Sequence, residues 1–225
     1  MRAPRSRGSR LVLWLGLAMI LGGLALLGYV GWQFWGTNWQ SQRQHEKVTN
    51  SLRTQWEQGG ERLQPKYVPK GEASALIRIP AFGKNYVVPV LEGTTTDVLS
   101  RGYGHFRGTA NPGEVGNYAL AAHRVTHGEP LRRMPELRPG DTVIVETVDA
   151  TYTYELDTDP NDLVIPFTGV WVLEPLPKNP EKGGPQPAQR PGQRLITLTT
   201  CSELFHTEDR MVAFGHLVGT EPRES

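Results

Sequence analysis

The sequence predicts an all-β domain closed into an eight-stranded barrel with short helices, set behind one transmembrane helix and a polar stalk. Two observations carry this expectation. From Ala75 onward, short runs of β-branched and aromatic residues alternate with Gly, Pro, Asn and Asp, the pattern of strands separated by turns. Ahead of them, residues 11–35 hold no charged side chain, 25 residues against the roughly 20 that cross a bilayer as a helix.

Taken in order, residues 1–10 form a basic N-terminus with Arg2, Arg5, Arg7 and Arg10, and no further cation follows the span until Arg43. The positive-inside bias puts this end in the cytoplasm and everything after Trp35 outside. The apolar run outlasts the roughly 7 to 15 residues of a signal-peptide core and carries Tyr29, Trp32, Phe34 and Trp35, rings that suit a membrane interface. It is read as an anchor, making the cytoplasmic membrane the chain's first partner. Residues 36–73 are polar, and Gly59-Gly60, Pro65, Pro69 and Gly71 interrupt any helix that begins near Asn38. They are expected to be a stalk, as solvated helix or coil.

Residues 74–225 then form the folded domain. Strands are expected near 75–80, 86–90, 117–123, 142–148, 151–157, 170–174, 194–200 and 210–218, with helices near 94–101 and 129–137. Closing eight short strands into a barrel removes exposed sheet edges. The segment 175–192 contains six prolines and three glycines, too many for a strand or helix interior. Loops of such length usually serve function, and this one is expected to form a substrate-facing wall.

Composition narrows the function. At 225 residues the chain has no room for a second catalytic domain beside an anchor and a linker. The net charge is +1 from 24 basic and 23 acidic groups, and four of the basic ones precede the span. The body is therefore mildly acidic, unlike a nucleic-acid binder. A single cysteine, Cys201, excludes an internal disulfide, and a lone thiol outside the cell asks for a purpose.

Leu195-Ile196-Thr197-Leu198-Thr199-Thr200 alternates bulky and hydroxyl side chains, so this strand shows two unlike faces and delivers Cys201 at its end. A buried cysteine acting as a small hydrophobe is the competing account. Arg210 opens the next strand nine residues on, where a guanidinium suits an oxyanion; pairing with Glu208 or Asp209 is the alternative, and spacing alone does not separate the two. His123 closes the strand 117–122, the most enzyme-like position of the six histidines. His45 falls in the stalk, His216 within a strand, His127 and His206 in loops, and His105 is ambiguous. No cysteine or histidine pair has zinc-ligand spacing. Asp157, Asp159, Asn161 and Asp162 look like a calcium loop, but Pro160 interrupts it, Asp162 stands where glycine is needed and Thr168 where glutamate is needed. No cofactor or metal is expected.

The run TLTTC ending at Cys201, Arg210 nine residues later, and NYALAAHR leading to His123 and then HGEPLRRMPELRPGD together resemble the sortases, and the last stretch is similar to class E. The resemblance covers roughly residues 75–220. It implies an eight-stranded barrel, Cys201 as nucleophile, His123 as acid/base partner in its protonated form, and Arg210 as oxyanion donor. It further implies a transpeptidase that cleaves a surface protein's sorting signal, of Leu-Ala-x-Thr-Gly or Leu-Pro-x-Thr-Gly type, between Thr and Gly. The thioester-bound protein then passes to an amine of a peptidoglycan precursor or of another protein. His105, Phe106 and Thr200 are the expected substrate-binding residues. Two departures stand out: Ala122 where the family more often has glycine, and Phe106 where a tyrosine often follows the Gly104-His105 pair. Rival readings are a pilin-polymerising sortase, disfavoured because neither a lid nor a C-terminal membrane segment is evident, and a silent binding module, disfavoured by the intact Cys, His and Arg set.

Overall fold

The computed structural model describes residues 7–32, 36–58, 69–201 and 208–223. Helix α1 (Arg7–Gly31) contains Val12–Gly31, which is long and apolar enough to span a membrane and is nowhere buried against the rest of the chain. Helix α2 (Thr37–Glu57) follows, and the short helix α3 (Thr96–Leu99) lies within the barrel sequence.

The strands are β1 (Ala73–Arg78), β2 (Val88–Glu92), β3 (Tyr103–His105), β4 (Gly116–Ala121), β5 (Thr142–Glu146), β6 (Ala150–Leu156), β7 (Val164–Pro166), β8 (Arg194–Cys201) and β9 (Asp209–Pro222). They run in the order β6-β5-β1-β2-β3-β4-β8-β9, and an antiparallel β6–β9 pairing closes these eight into a barrel. Strand β7 adds a three-residue ladder outside the ring, on the start of β9. Alternation decides what fills the barrel. Tyr118, Leu120, Ile196, Leu198, Met211 and Ala213 belong to the central core, while Val212 and Phe214 turn outward against Leu163, Ile165 and Val172 in a second, smaller core. Both faces of β8 are thereby buried.

Several sequence expectations change. The strand expected at 170–174 is a 3-10 turn, Val170–Leu173. Its carbonyls at Val172 and Glu174 accept hydrogen bonds from the Asn117 side chain at 2.9 and 3.1 Å instead of entering a ladder. Asn117 in turn accepts from Thr197 Oγ1 at 2.7 Å, so a buried polar network ties this turn to β4 and β8. The helix expected at 129–137 reduces to turns and the 3-10 segment Met134–Glu136, since Pro130 and Pro135 remove backbone donors. Strands β3 and β7, three residues each, lie outside the strands that the sequence predicts.

The largest correction concerns the stalk. Helix α2 packs on β1 and β2 and buries Ser41, His45, Thr49 and Leu52, one stripe at helical spacing. At the far end of the barrel wall Arg223 stacks on Trp56, its guanidinium 4.8 Å from the ring centroid. Residues 37–57 are therefore part of the folded body.

Burial lowers the pKa of His45 from 6.5 to about 4, because a desolvated imidazolium is disfavoured. The unfolded chain binds this proton as pH falls below about 6.5 and the folded one only near 4, so stability is lost with acidification across that window. Such a difference amounts to roughly 3 kcal/mol at full expression. In chemical denaturation between pH 7 and 4.5, His45→Leu is expected to flatten the pH dependence; an unchanged slope would show that His45 is solvated.

Candidate active site

Two ladders on β8 define the site. β4 runs parallel to β8 with Ala121 opposite Thr199, and contact continues past the strand end, where Ala122 N donates to Thr199 O at 3.1 Å and Thr200 Oγ1 donates to Ala122 O at 2.8 Å. β9 runs antiparallel with Thr199 opposite Val212 and Cys201 opposite Arg210. Two residues past the Ala121–Thr199–Val212 row, Cys201 and Arg210 therefore stand opposite each other in the next row, with His123 carried just past the end of β4.

Alongside this row lies a groove of about 280 Å³, lined among others by Leu99, Phe106, Ala121, Ile165, Thr199 and Arg210. Its walls are mainly apolar and Arg210 supplies the charge. The Arg210 guanidinium is half-buried and its Nη1 donates to the Asp209 carbonyl at 3.1 Å. The groove's outer wall comes from β7 and the 3-10 turn after it. It does not come from the proline-rich segment 175–192, and this corrects the sequence expectation. That segment is closed on itself by Asn179 and Gln189 hydrogen bonds to Pro185, Pro177 and Pro187 carbonyls.

His123 is a half-buried ring whose Nε2 is buried and finds no hydrogen-bond partner among the described residues. Desolvation first, then the neighbouring His127 and Arg210, lower its pKa from 6.5 to about 4. The ring is consequently neutral at pH 7. His127 stacks on it with centroids 4.7 Å apart and planes 26° from parallel, and burial lowers the His127 pKa as well.

Of the three residues expected to bind substrate, Phe106 lines the groove. His105 and Thr200 are turned to other partners. His105 is 4% exposed; its Nδ1 pairs with Glu92 Oε2 at 2.8 Å and its Nε2 meets Ala110 O and Thr109 Oγ1. Thr200 is buried and donates to Ala122. Ala122 itself points its methyl into the barrel core, away from the groove. The Asp-rich stretch 157–162 contains a turn in which Asp159 Oδ1 accepts from Asn161 N at 2.8 Å, and among the described residues no group of three or more His, Cys, Asp or Glu is gathered to hold a metal. Sequence reasoning missed His127 and the wall 165–173. The wall's one sequence signal is Asn117, a polar residue in the largely apolar strand β4, which meets Thr197 on the hydroxyl face of β8.

Comparison with known proteins agrees with this fold. The sortase domain family model matches residues 77–218. Sortase SrtE1 of Streptomyces coelicolor is 36% identical over 219 residues, covering 93% of this chain, and the chain spans 58% of that relative's length. Sortase SrtE2 of the same organism is 28% identical, with 98% of this chain and 87% of the relative covered. Among solved structures, sortase E from Streptomyces avermitilis matches at a TM-score of 0.59 and 39% identity over 68% of this chain and 92% of its own. Sortase E1 from S. coelicolor with a tripeptide in the active site matches at 0.59 and 37%, over 69% and 93%.

The burial of His123 makes a direct prediction. Its imidazole resonances in an NMR titration are expected to hold their neutral positions from pH 8 down to about 5.5 and to move only near 4. A midpoint close to 6.5 would mean that the ring is solvated and uncoupled from His127 and Arg210.

Proposed function

The chain belongs to the sortase family, and from that premise we propose that it is a membrane-anchored, class E cysteine transpeptidase with its catalytic domain outside the cytoplasmic membrane. In this reading residues 1–10 are cytoplasmic, residues 11–35 anchor the chain, and the barrel cleaves the sorting signal of a surface protein between Thr and Gly. The observation that supports the reading is the pairing of Cys201 with Arg210 beside an apolar groove, with His123 just past the end of β4 and within electrostatic reach of Arg210. The tripeptide held in the active site of the S. coelicolor relative supports a peptide ligand for the equivalent groove here.

The proposed steps follow from the protonation states. His123, neutral at pH 7, takes the proton of the Cys201 thiol as sulfur attacks the threonyl carbonyl carbon. Negative charge collects on the carbonyl oxygen, where Arg210 stabilises it. As the tetrahedral intermediate collapses, the C–N bond to glycine breaks and His123 returns the proton to the departing amine. A thioester remains. An amine of a peptidoglycan precursor or of another protein attacks the thioester carbon, loses a proton to His123, and forms the new amide while the thiol is regenerated. The groove would hold the apolar residue at the front of the signal.

Cys201→Ala is expected to abolish both transfer and peptide hydrolysis with the fold retained, since the chain's single cysteine bonds to no other. Arg210→Lys keeps the charge but loses the planar fork of donors, and kcat is expected to fall towards the roughly 10²- to 10³-fold loss seen on removal of an oxyanion donor. Near-wild-type turnover of sorting peptides by Cys201→Ala would remove Cys201 as the nucleophile, and binding of those peptides without turnover by the unsubstituted chain would leave a binding module in place of an enzyme.

Phe106 bears on the signal. In the second position, alanine offers a backbone N–H that proline lacks, and a phenol oxygen would accept from it where phenylalanine does not. A hydrogen bond to a buried donor is worth roughly 1 to 3 kcal/mol. Phe106→Tyr is therefore expected to raise the ratio of turnover on Leu-Ala-x-Thr-Gly to that on Leu-Pro-x-Thr-Gly peptides about tenfold. A constant ratio would remove Phe106 from the reading of that position.

A further inference from the structure

Between His123 and Leu131 the chain folds back on itself, and Leu131 N donates to His123 O at 3.0 Å. Inside this loop three successive residues have left-handed backbone: His127 (φ 54°), Gly128 (φ 81°) and Glu129 (φ 51°). Among the described residues His127 and Glu129 are the two positive-φ positions without glycine. Side chains disfavour this region, so such a run persists only where surrounding contacts hold it.

The holding contacts come from α2. Asn38 Oδ1 accepts from Gly128 N–H at 3.0 Å, and Asn38 Nδ2 donates to Glu129 Oε1 at 2.7 Å. Two turns further along the same helix, His45 covers Gly128 so closely that a Cβ there would stand 2.7 Å from its Cε1. From the other side Tyr86 Oη donates to Pro130 O at 2.7 Å. In the conformation so fixed, His127 lies stacked on His123.

We propose that Asn38, on the helix next to the membrane anchor, is a positioning residue for the transfer reaction: its side-chain amide clamps residues 127–129 so that His127 stacks on His123 and holds that imidazole in its working orientation. The proposal rests on the reading of His123 as the acid/base group. The charged and titratable groups bearing on His123 are His127 in its own loop and Arg210 on β9, with His45 reaching the loop from α2. Asn38 touches none of the reacting atoms and acts only through the loop. The helix between anchor and barrel thus takes part in positioning the acid/base group.

The test uses the full chain in liposomes with a Leu-Ala-x-Thr-Gly peptide and a glycyl-peptide amine. Asn38→Ala is expected to lower kcat about tenfold, with KM changed less than threefold, and to move the His123 NMR midpoint upward from about 4. The double variant Asn38→Asp with Glu129→Gln exchanges donor and acceptor: a carboxylate at 38 accepts from both the Gly128 N–H and the amide at 129. It is expected to bring kcat back to within about threefold of wild type and the midpoint back towards 4. His123→Ala serves as the reference. Retention of activity by His123→Ala would overturn the acid/base reading itself. With His123→Ala inactive, an unchanged kcat and His123 midpoint in Asn38→Ala would overturn the role of Asn38. So would a loss that the double variant does not relieve, because Asn38 would then contribute packing alone.

Discussion

The register of β8 is the constraint on which the site depends. This strand is held parallel to β4 and antiparallel to β9, and the two ladders together decide which residues share a row. A slip of one residue in either would turn every side chain of the strand to the opposite face. Ile196 and Leu198 would leave the barrel core, and Thr197 would lose Asn117. The penalty is large because both faces of β8 are covered, one by the barrel interior and one by the layer of Leu163, Ile165 and Val172. Deep burial of an ordinary strand is what gives a fixed geometry to residues that come from positions 123, 201 and 210 of the chain.

The barrel was legible in the sequence because its strands obey period two. The TLTT alternation of β8 marks an inner aliphatic face and an outer hydroxyl face, and the structure uses both. Short strands escaped for the reason that makes them short: β3 and β7 contribute three residues each, fewer than a period needs to be visible. The Val170–Leu173 segment misled because four apolar residues carry no phase. Its conformation is set by Asn117 from another strand, and no local propensity encodes that contact. Helix α2 was misread for a different reason. Three of its four buried residues, Ser41, His45 and Thr49, are polar, so the stripe that docks it is invisible to any search for apolar periodicity.

The same division runs through the candidate site. Residues at strand ends, His123, Cys201 and Arg210, could be singled out because a motif ties each to its element. Phe106 lies next to His105 in sequence, yet one lines the groove and the other is locked to Glu92, since neighbours on an extended chain point to opposite sides. His127 could not be found by spacing. Its approach to His123 depends on three left-handed residues and on contacts from a helix that lies some 80 to 90 residues earlier, at Asn38 and His45.

The electrostatics of the row separate two duties that one cation would combine poorly. A guanidinium stays charged at any pH the cell meets, so in the proposed reaction Arg210 would offer a fixed positive field to the developing oxyanion. An imidazole beside it, desolvated and stacked on a second imidazole, resists taking a proton, as the lowered His123 pKa records. Groups driven apart in this way fall into one that stabilises charge and one that moves protons. In the proposed reaction a neutral His123 accepts the thiol's proton, and the imidazolium so formed, held at a low pKa, would be a strong acid toward the departing amine. On that proposal, burial that makes the resting imidazolium scarce also makes it an effective donor once the thiol has charged it, and the cationic surroundings that His123 shares with Arg210 would serve the cleavage step.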